Sequence, residues 1–299
     1  MNSIPDLQNS PEGLQLMKAR QSTYASATTF QTIQLIGTVL LPIVAAITAL
    51  CVPSFRPYTA TISISVLVLD AAFIERWLTK KMVEAAAYSE AFDCLVLTLP
   101  WNNFIAGPPP IPEDMSRAAR SYPEDDASLS KITNWYPIAV GKAPLEIARL
   151  ACQRTNLWYD SELRSRYADW VLVVPVILTI VFLSVGLIQR LVLGDLVLAV
   201  GAPSAPLLVW AIREHFKQRD AAESQRRLMA VVESLWRDIF EKRVGLDDLT
   251  DRSREFQDAI LERRRSAPLL FPLVYHLMRP YMEQDMNRGA EARISELGY

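Results

Sequence analysis

Residues 152–190 change character without any break in pattern. They begin polar and aromatic, CQRTNLWYDSELRSRYADW, and continue as VLVVPVILTIVFLSVGLIQR. From Trp170 to Gln189 no residue carries a charge. A helix needs about 20 predominantly apolar residues to cross a hydrocarbon core about 30 Å thick, and this run has that length. Pro144 lies upstream and can open one long helix through the whole stretch. A single rod then joins a water-facing surface to a bilayer. A chain built on such a rod must satisfy its backbone inside lipid, which favours helices throughout.

Three further apolar runs fit the same scheme. Residues 33–52 read as a first span, within a stretch from Gln21 to Phe55 that has no charge. The turn VPSFRPY leads to a second span over 58–77, and a short link after Gln189 leads to a fourth over 191–212. The expected fold is an all-α membrane protein: four transmembrane helices in two hairpins plus a cytoplasmic helical domain. The expected divisions are an N-terminal cytoplasmic helix (1–30), hairpin one (31–78), a cytoplasmic helical segment (79–168), hairpin two (169–212) and a C-terminal cytoplasmic helical segment (213–299). Ser10-Pro11-Glu12 has the pattern of a helix start. Residues 262–294 are expected to be helix-rich but broken by Pro268, Pro272 and Pro280, and their apolar stretch 267–278 is too short to span.

Basic residues set the orientation. Lys18, Arg20, Arg76, Lys80, Lys81, Arg164, Arg166, Arg213, Lys217 and Arg219 fall on one side, and Arg56 and Arg190 on the other. Both termini are therefore expected in the cytoplasm, in a multi-pass protein. No cleavable signal peptide is apparent. The formal charge of −2 lacks the basic excess of a general nucleic-acid binder, so no DNA or RNA duplex is expected as partner. Cys51, Cys94 and Cys152 are far apart and form no CxxC pair, which suggests neither a zinc site nor a disulfide framework.

Enzyme signatures are missing: there is no P-loop, GxGxxG or GxSxG, and His215 and His276 have no second histidine at ligand spacing. The chain is read as a non-enzyme with no metal and no resident cofactor. The chemistry lies in polar clusters. In RTNLWYDSELRSR, Arg154 suits a phosphate, Asn156 a base edge and Trp158 or Tyr159 a stacked base, with Asp160 and Arg164 beside them. The alternative is a helix at the membrane surface with snorkelling arginines and an interfacial Trp/Tyr pair. The loop LPWNNFIAGPPP offers Trp101, Asn102 and Asn103, either as packing or as one wall of a pocket. Arg263, Arg264 and Arg265, the run RRR, suit nucleotide or lipid phosphates, or form a solvated face. Asp70 is an acid within an apolar run, either water-reached or facing a pore. Gly201, Pro203 and Pro206 interrupt span four, as a static kink or as a gating hinge.

The chain resembles the SMODS-associating four-transmembrane effector family. The resemblance is carried by NSIPDLQNSPE, LPWNNFIAGPPPIPEDM, NWYP, CQRTNLWYDSELRSRY, REHFKQRDAAE, RRRSAPLLFPLVY and QDMNRGAE. It implies an anti-phage role: a nucleotidyltransferase makes a cyclic oligonucleotide, which activates a pore-forming effector that disrupts the membrane and arrests growth. The expected partners are that messenger and the lipid bilayer. A homo-oligomer is expected, because four spans leave little room for an aqueous path. A membrane-anchored scaffold without pore activity is the alternative.

Overall fold

The computed structural model describes residues 1–69, 75–246 and 248–299, and all regular structure among them is helical. Asp70, one of the proposed gate residues, lies outside the described residues. A short α1 (Ile4–Leu7) precedes α2 (Pro11–Leu35), a π turn (Ile36–Leu40) and α3 (Leu41–Cys51). Then come α4 (Arg56–Leu69), α5 (Glu75–Val96), the short α6 (Asn103–Ala106), α7 (Pro112–Ala119) and the short α8 (Asp126–Leu129). Next are α9 (Leu145–Ile188), α10 (Leu193–Leu196), a second π turn (Val197–Gly201), α11 (Ala202–Phe240), α12 (Leu249–Ser266) and α13 (Pro272–Glu296).

Helix α9 carries 44 residues without a break. It starts after Pro144, as its sequence requires, and passes Asp169 with no change in backbone. Pro175 lies inside it. The same continuity holds elsewhere. Leu193–Phe240 forms one run of 48 residues, and helix continues from Pro11 to Cys51. The divisions at 30/31, 168/169 and 212/213 thus fall inside helices. Composition changes there, but the fold does not.

Two expectations about prolines are corrected. Pro203 and Pro206 lie inside α11 and Gly201 ends the π turn before it, so the fourth apolar run stays helical through all three. In that π turn the Ala202 N–H reaches the Val197 carbonyl. The first π turn is alike: the Leu41 N–H reaches the Ile36 carbonyl, directly before Pro42. A proline has no N–H to give and its ring crowds the preceding turn, and a wider turn relieves both problems without ending the helix. Likewise Pro280 lies inside α13, and the chain breaks only between Ser266 and Pro272.

One core draws on almost the whole polar half of the chain. Met17 of α2, Phe92 of α5, Leu150 and Leu157 of α9, Val232 and Trp236 of α11, Ile260 of α12 and Ile294 of α13 belong to it. The N-terminus is fastened to the NWYP motif. The Gln8 side chain accepts from the Tyr136 N–H at 2.7 Å and donates to the Tyr136 carbonyl at 3.3 Å. Asn9 exchanges hydrogen bonds with Asn134 at 2.8 and 3.0 Å. Ser10 caps α2 by accepting from the Gly13 N–H at 3.1 Å. Arg149 closes the C-terminal end of α5, donating to the carbonyls of Leu97 (2.6 Å) and Thr98 (2.7 Å), where a cation is favoured.

The apolar half packs through small residues. Ala46, Ala49 and Ala199 are fully buried, which lets α3 and the second π turn approach closely. Outside this seam the helices expose large apolar side chains, among them Ile47, Ile62, Trp170, Ile177, Ile180, Leu187 and Val197. Only 28% of the apolar window of α9 is buried, far too little for the core helix of a water-soluble protein. Hydroxyls on these helices bond their own helix: Thr48 to Val44, Thr61 to Pro57, Thr179 to Pro175 and Ser184 to Ile180. That satisfies them without water. By length and composition, two helices qualify as candidate membrane spans, Leu145–Ile188 and Leu193–Phe240.

The thiols yield a test. Burial, then the neighbouring Glu90, pushes Cys94 up to about 12, and burial raises Cys152 well above its ordinary value. At pH 8 the thiolate fraction of Cys94 is roughly 10³-fold below that of a free cysteine. Peptide-resolved labelling with a water-soluble maleimide is expected to leave both unmodified until the protein is unfolded.

Candidate functional site

Seen along α9, the polar residues preceding the apolar run are engaged with the helices around them. Arg154 donates to Glu233 of α11 at 2.5 Å, and Glu233 also takes Arg293 of α13 at 2.6 Å. Asn156 donates to the Tyr136 hydroxyl at 2.9 Å. Asp160 accepts from Arg164 at 2.7 Å and from Gln225 of α11 at 2.8 Å. Arg164 is buried and also donates to Gln218 (2.8 Å) and to the Pro268 carbonyl (2.7 Å). Trp158 is half-buried. These residues lock α9 to α11, α13 and the segment after α12.

The loop residues have structural partners too. Trp101 donates to the Gly107 carbonyl at 2.8 Å, Asn102 donates to Asp258 at 2.8 Å, and Asn103 is exposed at the start of α6. The three consecutive arginines diverge, as residues 100° apart on a helix must. Arg263 donates to the carbonyls of Ser224 (3.2 Å) and Ala259 (2.9 Å). Arg264 reaches inward to Asp93 at 2.5 Å. Arg265 donates to the carbonyls of Ile105 (2.7 Å) and Ala106 (2.6 Å).

A cavity of about 470 Å³ opens nearby. That is within the usual range for a small-molecule site. It lies where α2 and α11 pass from polar to apolar, and α5, the end of α12 and the chain beyond α12 close it. Four cationic side chains, Arg213, Lys217, Arg263 and Arg265, line it against two acids, Glu214 and Asp220. Of the described residues proposed from sequence, only Arg263 and Arg265 of the RRR run reach this lining. The Arg263 pKa is lowered by burial, and among the described residues Arg263 pairs with no carboxylate. Asp160 and Arg164 stand just behind the wall, through Gln225 and Pro268, which do line it.

Sequence reasoning did not single out Gln31, Trp210 or Gln225 as candidate site residues. Gln31 and Gln225 are both more than nine-tenths buried. Each has its amide N–H₂ engaged, by the Leu269 carbonyl (3.0 Å) and by Asp160 (2.8 Å). Each leaves its side-chain oxygen buried without a donor. Arg265 has its Nε buried without an acceptor. The one sequence signal was Arg265's place in the RRR run.

Rods that pass from a packed polar core into an exposed apolar belt define a membrane-associated, all-helical protein. The chain belongs to the SMODS-associating 4TM effector domain family, whose model matches residues 2–293. It is also similar to a probable CBASS effector molecule of Bacillus cereus (strain VD146), with 22% identity over 301 residues and 97% of each chain covered. No solved structure matches it.

Proposed function

We propose that the protein is a four-span, pore-forming effector of a CBASS anti-phage system, without enzymatic activity. In this reading a cyclic oligonucleotide made by a partner nucleotidyltransferase binds its cytoplasmic half. Several copies then open the bacterial inner membrane and halt growth. Family membership and the similarity to a probable CBASS effector support the class. Support for four spans comes from the exposed apolar faces of α3 and α4, which match those of α9 and the run into α11. The basic residues clustered at one end of the apolar runs support cytoplasmic termini.

The observation that carries the reading is the unbroken course of α9 from a buried polar network into an exposed apolar face. A ligand that favours one arrangement of the polar half must then favour one arrangement of the apolar half. Dye-loaded liposomes carrying the full chain test it. Release on addition of one cyclic di- or trinucleotide, and not of its linear counterpart, is the expected result. Membranes that stay sealed with every messenger would reduce the protein to a passive scaffold.

A further inference from the structure

We propose that the cavity between α2, α5, α11 and the end of α12 is the ligand site, and that it takes a phosphodiester-linked nucleotide with base N–H donors. The inference rests on the ligand-opened reading above and adds to it a place and a chemistry.

The charge of the wall selects an anion. Its cations outnumber its acids by two to one. Arg263 is desolvated against carbonyls alone, and the Nε of Arg265 has no acceptor. A phosphodiester oxygen supplies what both lack. The two glutamines ask for something else. Their N–H₂ groups are held by acceptors, so the amides cannot flip, and their oxygens are left wanting donors. A buried acceptor without a donor costs about 1–3 kcal/mol, so satisfying it favours the bound state. A base edge with an exocyclic amino group carries such donors, and both glutamines line the cavity. An inorganic phosphate would satisfy the arginines and leave both glutamines as they are. Trp210 adds a half-buried flat face on which a base can stack.

The site is also wired to the rods. Gln225 holds Asp160 of α9, and Arg164 of α9 holds the Pro268 carbonyl of the wall. Gln31 and Trp210 sit on the two other helices that run on into apolar sequence. A ligand filling the cavity therefore touches α2 and α11 directly and α9 through these two hydrogen bonds.

The test uses the full-length protein in phosphatidylcholine nanodiscs, with calorimetric titration of 3′,5′-cyclic di- and trinucleotides, and parallel dye release from liposomes. Arg263→Gln and Gln225→Leu are each expected to weaken binding at least tenfold while the melting temperature holds. Should either variant melt early, Trp210→Leu removes a flat face and no hydrogen bond, and binding at least tenfold weaker is again expected. Wild-type affinity in all three overturns the site; if dye is still released, the effector reading survives it. Binding without dye release keeps the site and sinks the pore. Failure of wild type to bind any cyclic nucleotide overturns the site. So does stabilisation by phosphatidylglycerol nanodiscs that is lost in the variants, which would assign the cavity to a lipid headgroup.

Discussion

Arg264→Ala is expected to lower the free energy of unfolding by about 3–5 kcal/mol, the usual cost of stripping one partner from a buried ion pair. Asp93 is 1% exposed, and its carboxylate is the hub of a polar network inside the main core. It takes Arg264 at 2.5 Å, the Tyr136 hydroxyl at 2.6 Å and Gln257 at 2.8 Å. Gln257 continues to Glu90 at 2.9 Å, and Glu90, fully buried, pairs with Arg254 at 2.6 Å. Burial opposes the charge on Arg264, but Asp93 outweighs it and holds the guanidinium protonated. Without that cation Asp93 keeps only neutral donors, so α5, α12 and the NWYP segment lose their common anchor. Thermal or urea unfolding of the detergent-solubilised protein measures the loss. Asp93→Asn combined with Arg264→Ala is expected to cost less than the sum of the two single changes, because the pair acts as a unit. Near-additive losses would mean the contact contributes little.

The same network sets an alkaline limit. Burial, then Asp93, raises the Tyr136 phenol well above its ordinary value of 10.0. Its folded-state pKa exceeds the unfolded one, so its contribution is complete below about pH 10 and is lost as pH rises further. The melting temperature is expected to fall above pH 10, and Tyr136→Phe to flatten that fall. An unchanged slope in Tyr136→Phe would assign the effect to other groups.

The rods were legible because the signals for them are local. Residues 145–174 contain no proline or glycine, so nothing ends the helix that Pro144 opens. The change from polar to apolar alters its surroundings, not its dihedrals. The Ser10 cap is local in the same way. Partners across the fold were not legible. Arg154, Asp160 and Arg164 have the composition of a ligand site, yet Glu233, Gln225 and Pro268, which engage them, lie 79, 65 and 104 residues away. No periodicity encodes such a pairing. Prolines at 203 and 206 looked like a break because the rule counts the missing N–H and not the π turn that accommodates it. Gln31 and Gln225 passed unnoticed because a glutamine on a helix is ordinary. What sets them apart is an oxygen without a donor, which only packing reveals.

Asp169→Pro is expected to abolish ligand-driven dye release, by at least tenfold, while leaving ligand affinity within about threefold of wild type. Asp169 stands at the change from polar to apolar on α9, and its side chain is 61% exposed. Among the described residues it pairs with Arg219 alone, at a long 3.7 Å, so removing the carboxylate alone costs little. Proline acts on the backbone instead. It deletes one helical hydrogen bond and clashes with the carbonyl one turn back, about 3 kcal/mol or more at an interior position. Water can solvate the freed carbonyl at this level, so the strain is relieved by bending there. The cavity lies on the other side of that bend, held by Asp160 to Gln225 and by Arg164 to Pro268. It should keep its shape, and the ligand should still bind. What is lost is stiffness between that contact and Ile177, Ile180 and the rest of the lipid-facing side. Asp169→Ala is the control and should release dye as wild type does, since alanine keeps the helix. If Asp169→Pro also releases dye normally, α9 is not the element that carries the signal. The continuous run of α11, which touches the cavity through Trp210 and Gln225, would then have to carry it alone.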